Sequence, residues 1–266
     1  MDLIIFKIRA FILVTIMFFL MCCVCDSGYS ETPADAELAD IVLSVDKIDD
    51  PSERIVKISG HFVDTPYAAN TLVGGPQVAE RLVMNLSEVD CFTLIDLIES
   101  LRRTFIVDDY PENLMQVRYV GGELSYSKRR HFFSDWVASG IGAITDVTAE
   151  VGQEKTRHVS KQLNLKSDGT LWLPGIDVTP RSIAYIPTEL IDERVMSALL
   201  PGDYIGVYSD RQGLDVSHTG VLIKNDNQFM LRHASSRSGV GKVVDEELLE
   251  YLQGTAGLVV YRVKGS

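Results

Sequence analysis

Apolar and polar positions divide this chain into three stretches with different spacing. Residues 11–25 are almost wholly apolar and follow the basic Lys7 and Arg9. A run of that length is short for a membrane span and suits the apolar core of a secretory signal peptide. From residue 34 the spacing becomes helical. Helices are expected at 34–45, at 52–58 (Ser52 as cap, Gly60 as stop), from Phe92 to about 103, and at 111–120 before Gly121-Gly122. In the helix that begins at Phe92, Leu94, Ile95, Ile98 and Leu101 form one stripe, and Glu99, Arg102 and Arg103 lie off it. Residues 61–68 and 71–76 read as turn and loop, and 78–86 fits either strand or helix. Beyond residue 144 the segments are short, β-branched or aromatic, and bounded by Gly, Pro, Asn or Asp. Strands are expected at 144–147, 156–163, 170–173, 182–186, 203–208, 216–223, 229–233 and 257–263. Asn225-Asp226-Asn227 is a hairpin turn between two of them, and 245–252 is a helix before the last strand. Helices followed by strands predict an α+β domain with an antiparallel sheet.

The leader sets the compartment. Cleavage after Cys25 gives a periplasmic or secreted protein. A lipid-anchored cysteine ranks second, because Phe19-Leu20-Met21 before Cys22 is bulky for a lipoprotein signal, and an uncleaved anchor ranks third. Residues 26–33 are polar and read as a linker. Residues 34–266 then form one domain in an exported body of about 240 residues, and no second apolar run is long enough to span a membrane. The formal charge is −12, and residues 1–25 carry Lys7 and Arg9 against Asp2, so the body is at −13. That charge argues against nonspecific binding of nucleic acid or an anionic membrane surface.

Of four cysteines, Cys22, Cys23 and Cys25 lie in the leader, so Cys91 is a lone thiol in an exported body, where thiols usually pair. Asp90 is a suitable N-cap, which makes Cys91 the first helical residue. The helix dipole and the helix-start N–H groups favour a thiolate there, and Asp90 opposes it. The alternative is a buried small hydrophobe at a helix start.

A cysteine nucleophile needs a base, and the base needs a polar group to hold its tautomer. Of five histidines, His218 and His233 fall on the two strands of the expected hairpin, which places them about 5 Å apart across the ladder. A helix bearing Cys91 across one sheet face would reach both. A lone Cys and scattered His lack the short spacing of a zinc site, so no metal or other cofactor is expected. Residues 126–136 interleave Lys128, Arg129, Arg130, His131, Phe132, Phe133, Asp135 and Trp136 without a period, which suits a pocket wall or a basic turn with a packed Trp.

Thr65-Pro66-Tyr67, Asp90-Cys91-x-Thr93, Ser217-His218-Thr219-Gly220 and His233-Ala234-Ser235 together resemble the NlpC-type papain-like peptidases and amidases of bacterial cell-wall metabolism. Arg130 to Trp136, Asp146-Val147-Thr148 and Tyr185-Ile186-Pro187 resemble the branch of N-acetylmuramoyl-L-alanine amidases that act on soluble anhydro-muropeptides in cell-wall recycling. The similarity runs over about residues 61–263. It implies a papain-like NlpC-type core, an antiparallel sheet with the nucleophile-bearing helix packed on it. It also implies Cys91 as nucleophile, His218 as base and His233 as the orienting residue. Tyr67, Asp90, Arg129, His131, Trp136 and Ser217 would contact the substrate, a peptidoglycan fragment, with Trp136 stacking on a sugar ring. Phe92-Thr93 stands where many members have Ser-Gly after the cysteine, which favours the amidase over a γ-D-glutamyl-diaminopimelate endopeptidase. A muropeptide-binding envelope protein is the non-enzyme reading.

Overall fold

The structure, a computed structural model, describes residues 33–226 and 228–264. The expected leader, its cleavage or lipidation, and the linker up to residue 32 lie outside the described residues. From Glu37 onward the described residues belong to one compact unit, and residues 33–36 are the start of its first helix. Among the described residues, no helix is long and apolar enough to cross a membrane.

Four helices come first: α1 (Pro33–Ser44), α2 (Pro51–His61), α3 (Cys91–Arg103) and α4 (Tyr110–Arg118). A hairpin of β1 (Val73–Gly75) and β2 (Val78–Arg81) lies between α2 and α3, where a loop and an undecided apolar segment were expected. The cap of α2 is Asp50, which accepts from Glu53 N at 2.7 Å, and not Ser52. Short helices follow at α5 (Asp135–Ala138), α6 (Thr148–Gly152), α7 (Glu193–Ala198) and α8 (Leu248–Leu252). The strands are β3 (Ile144–Asp146), β4 (Arg157–Leu163), β5 (Thr179–Pro187), β6 (Tyr204–Tyr208), β7 (Val216–Asn225), β8 (Gln228–Ala234), β9 (Val243–Glu247) and β10 (Gly257–Val263). They form one eight-stranded antiparallel sheet in the order β4-β5-β10-β6-β7-β8-β9, with β3 also on β10. The α+β class and the antiparallel sheet are as expected.

Two expectations in the β half fail for one reason. Residues 170–173 are not a strand: Leu171 makes a single bridge to Leu165, and the segment belongs to a loop organised by side chains. Residues 245–247 are strand and not helix, because they complete β9 against β8. In both places, long-range partners overrode local pattern.

The central strands are apolar at nearly every position because the sheet is covered on both faces. Tyr204, Val221, Ile223, Val259 and Tyr261 join the core that α2, α3 and α4 pack on. Their neighbours Ile205, Leu222, Leu258 and Val260 join a second core with α6, α7 and α8, as the two-residue period of a strand requires. Burial of α3 exceeds what its stripe predicted. Glu99 is fully buried, held by Arg102 and Arg103 at 2.7 Å each and by the Tyr204 hydroxyl at 3.0 Å. Asp96 is buried too, paired at 3.0 Å with the buried Arg118 of α4. Removing one partner of such a pair leaves an uncompensated charge, so these contacts hold the orientation of the helix that begins at Cys91.

Candidate active site

The start of α3 is fixed by a reciprocal cap. Asp90 accepts from Phe92 N at 3.0 Å and Thr93 N at 2.7 Å, while the Thr93 hydroxyl accepts from Asp90 N at 2.8 Å. Two of the helix's orphan N–H groups are thereby satisfied, and Cys91 stands at the first helical position. These bonds give Asp90 a structural role at the helix start through its Oδ1 atom. Thr219 of β7 donates its hydroxyl to the Cys91 carbonyl at 2.7 Å, which ties the helix start to the sheet.

Two local features aim the histidines. The β6–β7 register shifts between Val207, opposite His218, and Tyr208, opposite Val216. The extra residue is Ser217, and a bulge of this kind redirects the side chain beside it. On the other side, Val221 pairs with Arg232, so Gly220 and not His218 lies opposite His233. The two imidazoles therefore meet diagonally rather than face to face. A Cβ at Gly220 would lie 2.6 Å from the Arg232 carbonyl oxygen and 3.1 Å from His233 Cβ, so a glycine is needed in that gap. His218 Nε2 and His233 Nδ1 are 2.8 Å apart. His233 Nε2 in turn lies 3.0 Å from Glu246 Oε1 on β9, and Glu246 also pairs with Arg237. Tyr251 of α8 packs on both rings, with centroids 5.7 and 4.7 Å away.

This series assigns the protons. A carboxylate only accepts, so His233 carries hydrogen on Nε2 and accepts at Nδ1. His218 must then donate from Nε2, which leaves Nδ1 as its basic atom. Burial, then His233 and then Arg237, push the His218 pKa down to about 3. Burial and Arg237 push His233 down to about 4 against the opposing pull of Asp245. Both rings are neutral at physiological pH. Burial, followed by Asp90, pushes the Cys91 thiol up to about 11, against hydrogen bonds from Thr219 that favour the thiolate. The helix start does not win over desolvation here, and the resting pair is a thiol and a neutral imidazole.

Cys91 and His218 line one cavity of about 280 Å³, with Phe92, His131, Phe132, Phe133, Trp172, Leu173 and residues 214–217 and 219 around them. A second, larger hollow of about 820 Å³ adjoins it, sharing Ser217 and His218 and bounded by His233, Ser235, Ser236, Arg237, Glu246 and Tyr251. Of the remaining expected contacts, Ser217 and His131 are at the cavity. His131 has its Nε2 on the Tyr126 carbonyl at 2.9 Å, and burial lowers its pKa. Tyr67 is near Cys91 and Asp90, bonded to the Ser236 side chain, and burial raises its pKa.

Two expected contacts are corrected. Trp136 is fully buried, packed against Phe92, Phe133 and Tyr204 with centroids 6.4, 6.0 and 5.1 Å away, and no sugar can reach it. Arg129 forms a two-point ion pair with Glu80, at 2.9 and 2.6 Å, and lines a neighbouring hollow on the far side of His131 and Phe132, not the cavity of Cys91. The aromatic and basic clustering of 126–136 serves packing as much as the cavity wall. Glu246, Tyr251 and Trp172 were not singled out in the sequence, since nothing local distinguishes them and Glu246 fell in an expected helix. Among the described residues, no cluster of ligating side chains could hold a metal ion.

A family model described as AmiA-like, N-acetylmuramoyl-L-alanine amidase-like, matches residues 57–258. The chain belongs to this family. Among solved structures, an N-acetylmuramoyl-L-alanine amidase from Bacteroides uniformis ATCC 8492 is similar at 25% identity and a TM-score of 0.69, covering 81% of this chain and 99% of that one. A Legionella pneumophila protein shares the fold at a TM-score of 0.72 and 22% identity, covering 87% of this chain and 95% of its own. No curated protein matches by sequence. Family and neighbour together make this an amidase-like hydrolase of peptidoglycan-related type.

Proposed function

We propose that this AmiA-like chain is a cysteine amidase with an NlpC-type papain-like core, cleaving the amide between the lactyl group of muramic acid and L-alanine in soluble anhydro-muropeptides. The observation that carries the reading is the bonded series His218–His233–Glu246 leading from the cavity that Cys91 lines. A buried imidazole oriented by a second polar group beside a thiol at a helix start is the arrangement that nucleophilic acyl transfer needs.

His218 Nδ1 takes the thiol proton as Cys91 Sγ attacks the carbonyl carbon. The resulting oxyanion accepts from the Cys91 backbone N–H, because Asp90 already holds those of Phe92 and Thr93. Tyr67, kept protonated by its raised pKa, is the second donor. The imidazolium returns its proton to the departing amine as the C–N bond breaks, leaving a thioester and a free stem peptide. Water, deprotonated by His218, then attacks the thioester. The acid leaves with the sugar, and the thiol is restored. His233 and Glu246 hold Nε2–H of His218 throughout, so the basic lone pair stays on Nδ1.

The test is mass analysis of products from purified anhydro-muropeptide, with Cys91→Ala as control. An intact stem peptide plus free anhydro-disaccharide is expected, with no products from the variant. A shortened stem identifies an endopeptidase, and ligand binding without turnover identifies a binding protein. Comparable rates on reduced muropeptide and sacculus would remove the preference for soluble anhydro fragments while leaving the amidase chemistry in place.

A further inference from the structure

With Trp136 in the core, the tryptophan that lines the cavity is Trp172. It stands in the loop between β4 and β5, and that loop is built with more internal bonding than a connection needs. Asn164, fully buried and at φ 75°, donates from Nδ2 to the carbonyls of Leu173 at 3.0 Å and Ile176 at 2.7 Å. Its Oδ1 accepts from Leu173 N at 2.7 Å, and its carbonyl accepts from Trp172 N at 3.0 Å. A single buried side chain thus fixes the backbone on which Trp172 and Leu173 sit.

The indole is fixed from the other side as well. Its Nε1 donates to the Gln212 carbonyl at 3.0 Å. The 209–214 segment that supplies this carbonyl is held by the buried Lys161, whose ammonium donates to the carbonyls of Arg211 at 3.0 Å and Leu214 at 2.8 Å. Gly213 is at φ 82°, and a Cβ there would lie 2.5 Å from the Leu165 carbonyl oxygen, so the two loops are in direct contact. Lys166 Nζ lies 4.8 Å from the ring centroid and backs the indole.

A tryptophan with its N–H satisfied and its backbone pinned, yet left partly exposed at the rim of the cavity, gives up apolar burial that folding would reward. The exposed part faces the same cavity as the reactive thiol. Apart from His131, Asp215, Ser217 and Thr219, the rest of that wall is aromatic or aliphatic, including Phe92, Phe132 and Leu173, and most of the surface it exposes is apolar. This chemistry suits the C–H face of a pyranose ring more than a charged stem peptide. The neighbouring hollow, beyond His218, sets Arg237 among Asp245, Glu246, Glu247 and Glu250, a polar and mainly acidic lining that suits the amine end of the peptide that leaves with the proton of His218.

We infer that Trp172 is the sugar platform of the site, on which the muramyl ring of the acyl half stacks while the stem peptide leaves past His218. This inference rests on the amidase reading for the identity of the acyl group, but it is tested by binding alone. The chain has two tryptophans, and Trp136 is fully buried, so a ligand-dependent change in tryptophan emission at the cavity reports Trp172. Cys91→Ala protein is titrated separately with peptide-free GlcNAc–anhydro-MurNAc disaccharide and with free stem peptide. The disaccharide is expected to shift the emission and the peptide to leave it unchanged, with the response lost in Cys91→Ala/Trp172→Phe. In the active enzyme, Trp172→Ala is expected to raise KM for the sugar-bearing substrate about tenfold, with the larger effect in KM rather than kcat. A response to the peptide and not the sugar would reverse the orientation and overturn the inference. So would disaccharide binding, measured by calorimetry, that is unaffected by Trp172→Phe and Trp172→Ala. An endopeptidase product pattern would defeat the amidase reading separately, whatever the titration shows.

Discussion

The protonation state of the Cys91–His218 pair can be read by alkylation. Burial and Asp90 raise the thiol from its ordinary 9.0 to about 11. Two units correspond to about 2.7 kcal/mol of extra preference for the protonated form. At pH 7 the thiolate fraction then falls from about one in a hundred to about one in ten thousand. The same surroundings hold His218 down to about 3, so it does not supply the positive charge that would rescue the thiolate. The assay is the rate of iodoacetamide labelling of Cys91 between pH 5 and 10, followed by intact mass on leader-free protein, with urea-unfolded protein as reference. The folded protein should label about a hundredfold more slowly than the unfolded chain at pH 7, and its rate should rise about tenfold per pH unit with no plateau below pH 10. A plateau beginning below pH 7 would refute the reasoning. It would mean a thiolate–imidazolium pair at rest, with His218 protonated on Nδ1 as well as Nε2, in place of the neutral thiol and imidazole.

Acid should destabilise the fold through the same histidines. Their folded values, about 3 and about 4, lie below the ordinary 6.5, so the unfolded chain takes up their protons first. The contribution of keeping them neutral is complete above about pH 6.5 and is lost as pH falls toward 3. Urea midpoints at pH 7.5 and 4.5 should differ, and the difference should shrink in His218→Asn; an unchanged difference in that variant would count against the burial argument. In steady-state kinetics, His218→Ala should be at least as damaging as His233→Ala, because one residue moves the proton and the other orients it. An active His218→Ala beside a dead His233→Ala would reverse the roles.

Local pattern alone located much of this protein. The cap at Asp90, the helix from Cys91 to Arg103 and most strands of the sheet were legible because each depends on neighbours within a few residues. The pairing of His218 with His233 was legible as a hairpin between two apolar runs, with Asn225 pairing to Gln228 across the turn. That Cys91 is the one thiol beyond residue 25 needed only a count of cysteines.

What only the tertiary structure decided depends on contacts far apart in the chain. The histidines meet diagonally because a bulge at Ser217 and the missing side chain at Gly220 set the geometry, and neither shows in a strand's periodicity. Glu246 reaches His233 because β9 pairs with β8, and local propensity pointed to a helix there. Of the two tryptophans, only Trp136 stood out in the sequence, and the structure buries it and leaves Trp172 at the cavity. The first is drawn into the core by Phe133 and Tyr204, and the second is held at the cavity by Asn164 and the Gln212 carbonyl. The thiol's protonation followed the same division. The sequence placed Cys91 at a helix start, which favours ionisation, but how much solvent reaches that sulfur is set by the sheet and loops folded over it, and desolvation is the larger effect.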